Sequence, residues 1–250
     1  MFVSASTECF PELSDDDLLE CLIDLGFTSI EMAIHHEGPA WLRPADVLAD
    51  PERAFNKCGA TARMDVAAFS FDTDATGDAY YEQFDALCKL AKALKVVTLI
   101  VPSSPLGTPF NEEIERLKKL VALAALEGAV VAVRTEVDCM TQDLDTAVVF
   151  CDHVKGLGVS FDPSCYTAGP HQGKPIDKLL PHVRHVRLRD STKKELHVRV
   201  GQGEIDYGKL ITQLQRVKYR RSLTVHMTPL EDLEHRPEVR KLRLLLDSLL

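Results

Sequence analysis

Long apolar runs are missing from this chain. No window approaches the ~18 consecutive apolar residues that a membrane span needs. The N-terminus, MFVSASTECF, has neither a basic region nor an extended apolar core, so no secretory leader is expected. Positive charge is in short supply: 29 Lys and Arg stand against 38 Asp and Glu, a formal net charge of −9. A nucleic-acid partner normally meets a basic face, so none is expected here. The seven cysteines are an odd number without a CxxC pair. That pattern argues against a disulfide framework or a zinc ribbon and fits reduced, mostly buried thiols in a cytoplasmic protein. There is no Walker A motif and no GxSxG elbow. Where an open dinucleotide-binding sheet carries its glycine-rich turn, after the first strand, the chain reads ASTECFPELSD.

What the chain does contain is alternation of strand and helix. MFVSAST is an apolar strand, and Ser14 caps the helix SDDDLLECLIDLGF, whose first-turn aspartates suit the positive end of its dipole. TSIEMAIHH, RMDVAAFSFD, KVVTLIVPSS, AVVAVRTEVD, GVSFDPSCYTAGP, HVRHVRLR and RRSLTVHMTP follow as strands. Helical stretches separate them, including GDAYYEQFDALCKLAKAL, a short PIDKLLPHV and DYGKLITQLQRVKY. Helix caps are expected at Asp143 or Asp145 and at Asp206. Eight such units without a linker predict one domain over residues 1–250, an α/β fold closed as a (β/α)8 TIM barrel.

In such a fold ligands sit at the carboxyl ends of the strands. The seventh strand is unusual there. Val186 and Leu188 point one way, whereas His185, Arg187 and Arg189 point the other. A face of three nitrogen side chains is costly to bury unless something anionic meets it. Lys193 and Arg199 follow in the same loop. His35, at the end of the second strand, faces the same interior by phase, and Glu31 lies deeper on that face. Trp41 stands in the following loop, where it either covers the mouth or packs.

Four segments, GVSFDPSCYTAG, RHVRLRDS, GQGEIDYGKL and YRRSLTVHM, resemble the xylose-isomerase-like sugar isomerase and epimerase family in order and spacing. The resemblance implies a TIM barrel and a divalent metal held by Glu on strand five, Asp on strand six, His on strand seven and Glu on strand eight. Of these, only the strand-six Asp is plainly kept, as Asp162. The strand-seven ligand position holds Arg187, between His185 and Asp190, and the strand-eight position holds His226. On strand five the match is Arg134, or Glu136 if the turn is shorter. Arg has no lone pair to give and does not deprotonate. A guanidinium ~5 Å from a divalent ion opposes it by several kcal/mol at an effective dielectric of ~20. The family metal site is therefore expected to be lost or rebuilt; if an ion such as Mn or Zn binds, Asp162, Glu136 and His226 would hold it.

The expected ligand is a small carbohydrate or sugar phosphate, anionic because of the arginines. Glu136, Asp162 and His226 are the acid/base candidates. His35, Arg134, His185, Arg187, Arg189 and Lys193 are the substrate-binding candidates. Three functions fit: an isomerase or epimerase with a rebuilt site, a sugar-acid or sugar-phosphate binding barrel without catalysis, and a relative of apurinic endonucleases. The last is disfavoured by the missing ligands and the acidic charge. A homodimer is left open.

Overall fold

The computed structural model describes residues 1–250. Eight parallel strands close in sequence order: β1 (Phe2–Ser6), β2 (Ser29–His35), β3 (Asp65–Asp72), β4 (Thr98–Val101), β5 (Val130–Arg134), β6 (Gly158–Phe161), β7 (Val183–Leu188) and β8 (Ser222–Val225). Around them run α1 (Asp15–Asp24), α2 (Pro44–Ala49), α3 (Pro51–Gly59), α4 (Gly77–Ala93), α5 (Phe110–Leu126), α6 (Leu144–His153), α7 (Ser164–Thr167), α8 (Tyr207–Arg216) and α9 (His235–Asp247). The TIM barrel expected from the alternation is the fold. No helix is long and apolar enough to cross a membrane, and all seven cysteines are free.

The caps explain where helices begin. Ser14 Oγ accepts the N–H of Asp17, Asp143 that of Thr146, and Asp206 that of Lys209. One expectation needs correction. PIDKLLPHV forms turns and a single 3-10 turn, Leu180–His182, because Pro181 removes the N–H a longer helix needs. Trp41 is buried, with its indole N–H on the carbonyl of Lys57 at 3.3 Å; it packs against α3 and does not line the mouth.

The apolar core lies between the sheet and the helices, where Phe69, Phe71, Phe84, Leu99, Phe150 and Phe161 are buried. The inside of the barrel is different. By alternation it receives Ser4, Ala33, Ala68, Ser70, Ala132, Ser160 and Thr224, all buried and all small. Small residues leave room for larger polar ones, and Glu31, His185 and Arg187 fill it.

One loop at the mouth is held by two buried carboxylates. Asp190, just past β7, accepts the backbone N–H groups of Ser191 (3.1 Å), Gly201 (2.7 Å) and Gly203 (3.0 Å). Glu238 of α9 accepts the N–H of Val200 at 2.8 Å. A Cβ on Gly203 would lie 1.8 Å from Asp190 Oδ1, which explains the glycine. Gly203→Ala is expected to lower stability by about 2 kcal/mol, read as a lower urea midpoint, and to speed amide exchange in residues 191–204; an unchanged midpoint would contradict this anchoring.

Candidate active site at the barrel mouth

The deepest layer of the site is a buried ion pair on the barrel axis. Arg187 donates from Nε to Glu31 Oε2 at 3.2 Å and from Nη2 to Glu31 Oε1 at 2.5 Å. Nη2 also donates to Ser70 Oγ at 2.8 Å. His185 Nε2 lies 3.1 Å from Glu31 Oε2 and 2.9 Å from Thr224 Oγ1, while Nδ1 meets Ser160 Oγ at 3.1 Å. A carboxylate only accepts, so Nε2 carries the imidazole hydrogen and Ser160 donates to Nδ1. Burial would raise the Glu31 pKa, but the charge and hydrogen bonds of Arg187 outweigh it and hold the carboxyl below its usual range. Burial pushes His185 down to about 4, against the attraction of Glu31, so it is neutral near pH 7. Glu31 keeps Arg187 charged despite complete burial.

Above this layer sits Glu8, in the turn after β1. Its Oε2 is 3.2 Å from His226 Nε2 and 3.7 Å from Arg187 Nη2, and its Oε1 is 3.5 Å from His35 Nδ1. Burial opposes its ionisation, yet the His226 hydrogen bond and the charges of His226, Arg187 and His35 hold the carboxyl well below the usual range. His35 Nε2 meets Ser70 Oγ at 2.8 Å, and burial lowers its pKa. Sequence reasoning missed Glu8. The only available signal was a carboxylate just beyond the carboxyl end of β1, where barrel ligands bind.

Two more charge pairs complete the rim. Arg189 donates from Nη2 to Asp162 Oδ2 at 2.8 Å and from Nε to Ser164 Oγ at 3.0 Å. Asp162 Oδ1 accepts the N–H and the hydroxyl of Ser164 at 2.9 and 2.5 Å. Arg134, the last residue of β5, donates from Nε to Glu136 at 3.0 Å and approaches Asp72 at 3.5 Å. Both strand-five candidates thus reach the mouth.

A cleft of about 560 Å³ opens there, lined by Glu8, Arg134, Glu136, Asp162, Arg187, Arg189, Lys194 and His226 among others. Six of the nine residues singled out from the sequence meet in it: Glu136, Asp162, His226, Arg134, Arg187 and Arg189. His35 and His185 lie beneath, as partners of the charged layer. Lys193 is elsewhere; it lines a separate cavity of about 510 Å³ on the other side of α7. Its neighbour Lys194 reaches the cleft instead. Cys165 borders the cleft, but burial pushes its thiol up and away from thiolate chemistry.

At the four strand-end positions that the resemblance marks for a metal stand Arg134, Asp162, Arg187 and His226. Two are guanidiniums without lone pairs. Both oxygens of Asp162 already accept from Ser164 and Arg189. No three His, Cys, Asp or Glu side chains come together as a metal site. This donor set does not fit a divalent ion.

Comparison with known proteins bears on the fold and the family. A family model described as xylose isomerase-like TIM barrel matches residues 19–245. A xylose isomerase domain protein from Planctomyces limnophilus superposes with a TM-score of 0.70 at 18% identity, over 100% of this chain and 95% of that one. The 3-keto-D-glucoside 4-epimerase YcjR from E. coli gives 0.75 at 12% identity, over 99% of both chains. A xylose isomerase-like TIM barrel protein from Mycobacterium smegmatis, in complex with magnesium, gives 0.73 at 14% identity, over 99% of this chain and 97% of that one. At such identities the likeness is one of fold. Among curated protein sequences none matches.

The buried layer makes two predictions. Arg187→Met leaves Glu31 charged and unpaired, and is expected to cost about 3–5 kcal/mol in urea unfolding. Adding Glu31→Gln should recover most of that loss; a double variant as unstable as the single one would rule out the pair as the cause. Second, His185 binds its proton in the unfolded chain near pH 6.5 but in the folded chain only near 4. The unfolded state therefore holds more protons between those values, so stability falls as pH drops from 6.5 to 4. The depressed carboxyls of Glu8 and Glu31 have the same sign, contributing stability above their ordinary value of 4.5 that is lost on further acidification. Melting temperature should decline steadily below pH 6.5, and the His185 imidazole resonances should titrate near 4; a melting temperature flat from pH 6.5 to 4 would contradict this.

Proposed function

Because the chain belongs to the xylose isomerase-like TIM barrel family, we propose that its mouth binds and isomerises or epimerises a small carbohydrate derivative carrying a carboxylate or phosphate, with fixed side chains in place of a metal ion. One observation carries this reading. Arg134, Arg187 and Arg189 each place Nε and Nη2 against a carboxylate or hydroxyl, and in each the remaining Nη1 makes no hydrogen bond within the protein. Three guanidinium edges, held still by their own counter-ions, line one cleft. Net charge does not select the ligand, because Glu31, Asp162 and Glu136 largely neutralise those arginines. Directed N–H donors do, and their planar geometry suits the oxygens of a carboxylate or phosphate.

The chemistry assigned to the family class is removal of a proton from a carbon beside a carbonyl and its return elsewhere. Glu136 is the group able to carry that proton. Glu136 accepts from Arg134 through Oε2 alone, leaving Oε1 open to the cleft. His226, whose Nε2 meets Glu8 and whose Nδ1 is buried, holds Glu8 in place and offers the ligand no free nitrogen. Arg187 donates toward the oxygen on which enolate charge develops. Asp162 acts through Arg189, whose fork it positions. A second reading, a binding barrel without turnover, is favoured by that same saturation of Asp162, which removes one of the three acid/base candidates.

Thermal melting with D-gluconate, D-glucose 6-phosphate and D-glucose tests the proposal. A bound anion at ten times its Kd should raise the melting temperature by roughly 3–6 °C, with a smaller rise for glucose and no response to chelator. Equal stabilisation by glucose would remove the anion; stoichiometric Mn or Zn in the purified protein would remove the metal-free site. Enolisation is read separately, as exchange of substrate carbon-bound hydrogen with deuterated solvent, abolished by Glu136→Gln.

A further inference from the structure

We propose that Lys194 is the residue that makes the mouth prefer an anionic ligand over a neutral one; this rests on the reading of the mouth as a carbohydrate cleft. The arginines orient a ligand, but each is already paired with a carboxylate. Lys194 is the cleft-lining cation that makes no ion pair with the protein.

Its position follows from the loop between β7 and α8. The base of that loop is fixed by Asp190 on the amides of Gly201 and Gly203, and by Glu238 on that of Val200. The tip is turned by Thr192, whose Oγ1 accepts the N–H groups of Lys194 (3.3 Å) and Glu195 (3.1 Å) and whose own N–H reaches the carbonyl of Glu195 at 3.0 Å. Gln172 donates to the carbonyl of Lys193 at 2.7 Å and ties the tip to the segment after α7. This turn sends two consecutive lysines to opposite sides. Lys193 goes to the outer cavity, where its Nζ lies 3.8 Å from Glu204 and its N–H meets the same carboxylate at 3.3 Å. Lys194, with Leu196, goes to the mouth.

The division of labour is physical. A guanidinium locked by a carboxylate offers direction but little net field. An ammonium on a flexible four-carbon stem offers charge without fixed geometry, so it serves a carboxylate and a phosphate alike. The preference it confers is electrostatic and partly exposed, so it weakens with salt.

The test is calorimetric titration of D-gluconate, D-glucose 6-phosphate and D-glucose into the full chain and into Lys194→Ala, Lys194→Arg and Lys193→Ala, at low salt and at 0.2 M. Lys194 is exposed, so folding is not at risk, and melting curves without ligand check this. Lys194→Ala should weaken both anions about fivefold at low salt and less at high salt, with glucose unchanged. Lys194→Arg should retain the preference, and Lys193→Ala should match the wild type. If the wild type prefers anions and Lys194→Ala keeps that preference in full, or Lys193→Ala loses as much, the assignment to Lys194 fails while the anionic cleft stands. A wild type that binds glucose as tightly as both anions overturns the cleft reading and this assignment together. A loss for one anion alone overturns the claim that the ammonium serves carboxylate and phosphate alike.

Discussion

A single ion pair, Glu31 with Arg187, sets the terms for everything at the mouth. Both side chains are almost wholly buried inside the barrel, a place where either charge alone costs several kcal/mol. Two hydrogen bonds from Arg187 to Glu31, a third to Ser70, and His185 on the far side of the carboxylate offset that penalty. The arrangement needs space, and the small residues that face the barrel axis provide it. A larger apolar side chain at Ser70 or Ser160 would both fill the volume and remove a hydrogen-bonding partner. The interior is therefore not a reduced version of the apolar core outside the sheet. It is a polar layer whose members depend on one another, so the loss of any one leaves a buried partner unsatisfied.

That dependence decides what kind of chemistry the mouth can offer. A metal ion exchanges ligands and accepts electron pairs; a guanidinium does neither. It can only donate hydrogen bonds and supply a fixed positive charge. With Arg187 held from below and Glu8 bridging it to His226 and His35, the centre of the mouth is a permanent internal cation with its own counter-ions. The rim repeats the pattern, Arg189 with Asp162 and Arg134 with Glu136. Each pair orients a donor edge and leaves part of it open, which is the form of preorganisation that stabilises developing charge without reorganising.

Much of this was legible in the sequence, and the reasons for the gaps are physical. Alternation along HVRHVRLR placed His185 and Arg187 on the interior, because strand period fixes side-chain direction. The depth of Glu31 followed from the same rule on β2. Which acid would pair with which base did not follow, since parallel neighbours in a closed barrel are set by register across strands that are distant in the chain. Asp162, for example, meets Arg189 and not Arg187 or Arg134. Glu8 lies past the end of β1, in a 3-10 turn, where neither period applies. The same loss of phase separates Lys193 from Lys194: one residue of turn geometry reverses the side, and composition cannot supply it.

Asp162 shows why a retained residue need not retain its role. By type and position it is the residue that the resemblance marks most plainly as a metal ligand. A carboxylate acts as ligand or base only through lone pairs that face the reacting atoms. Here Oδ1 faces the amide and hydroxyl of Ser164, and Oδ2 faces Arg189. Freeing either oxygen would leave Arg189 or the Ser164 amide without its acceptor, so the carboxylate is committed to the scaffold. Replacement of its neighbours has turned a ligand position into a support for a guanidinium. The catalytic capacity of the mouth therefore has to be counted in open lone pairs and open N–H groups, and by that count it rests on Glu136 and three arginine edges, because His226 gives Nε2 to Glu8 and its Nδ1 is buried.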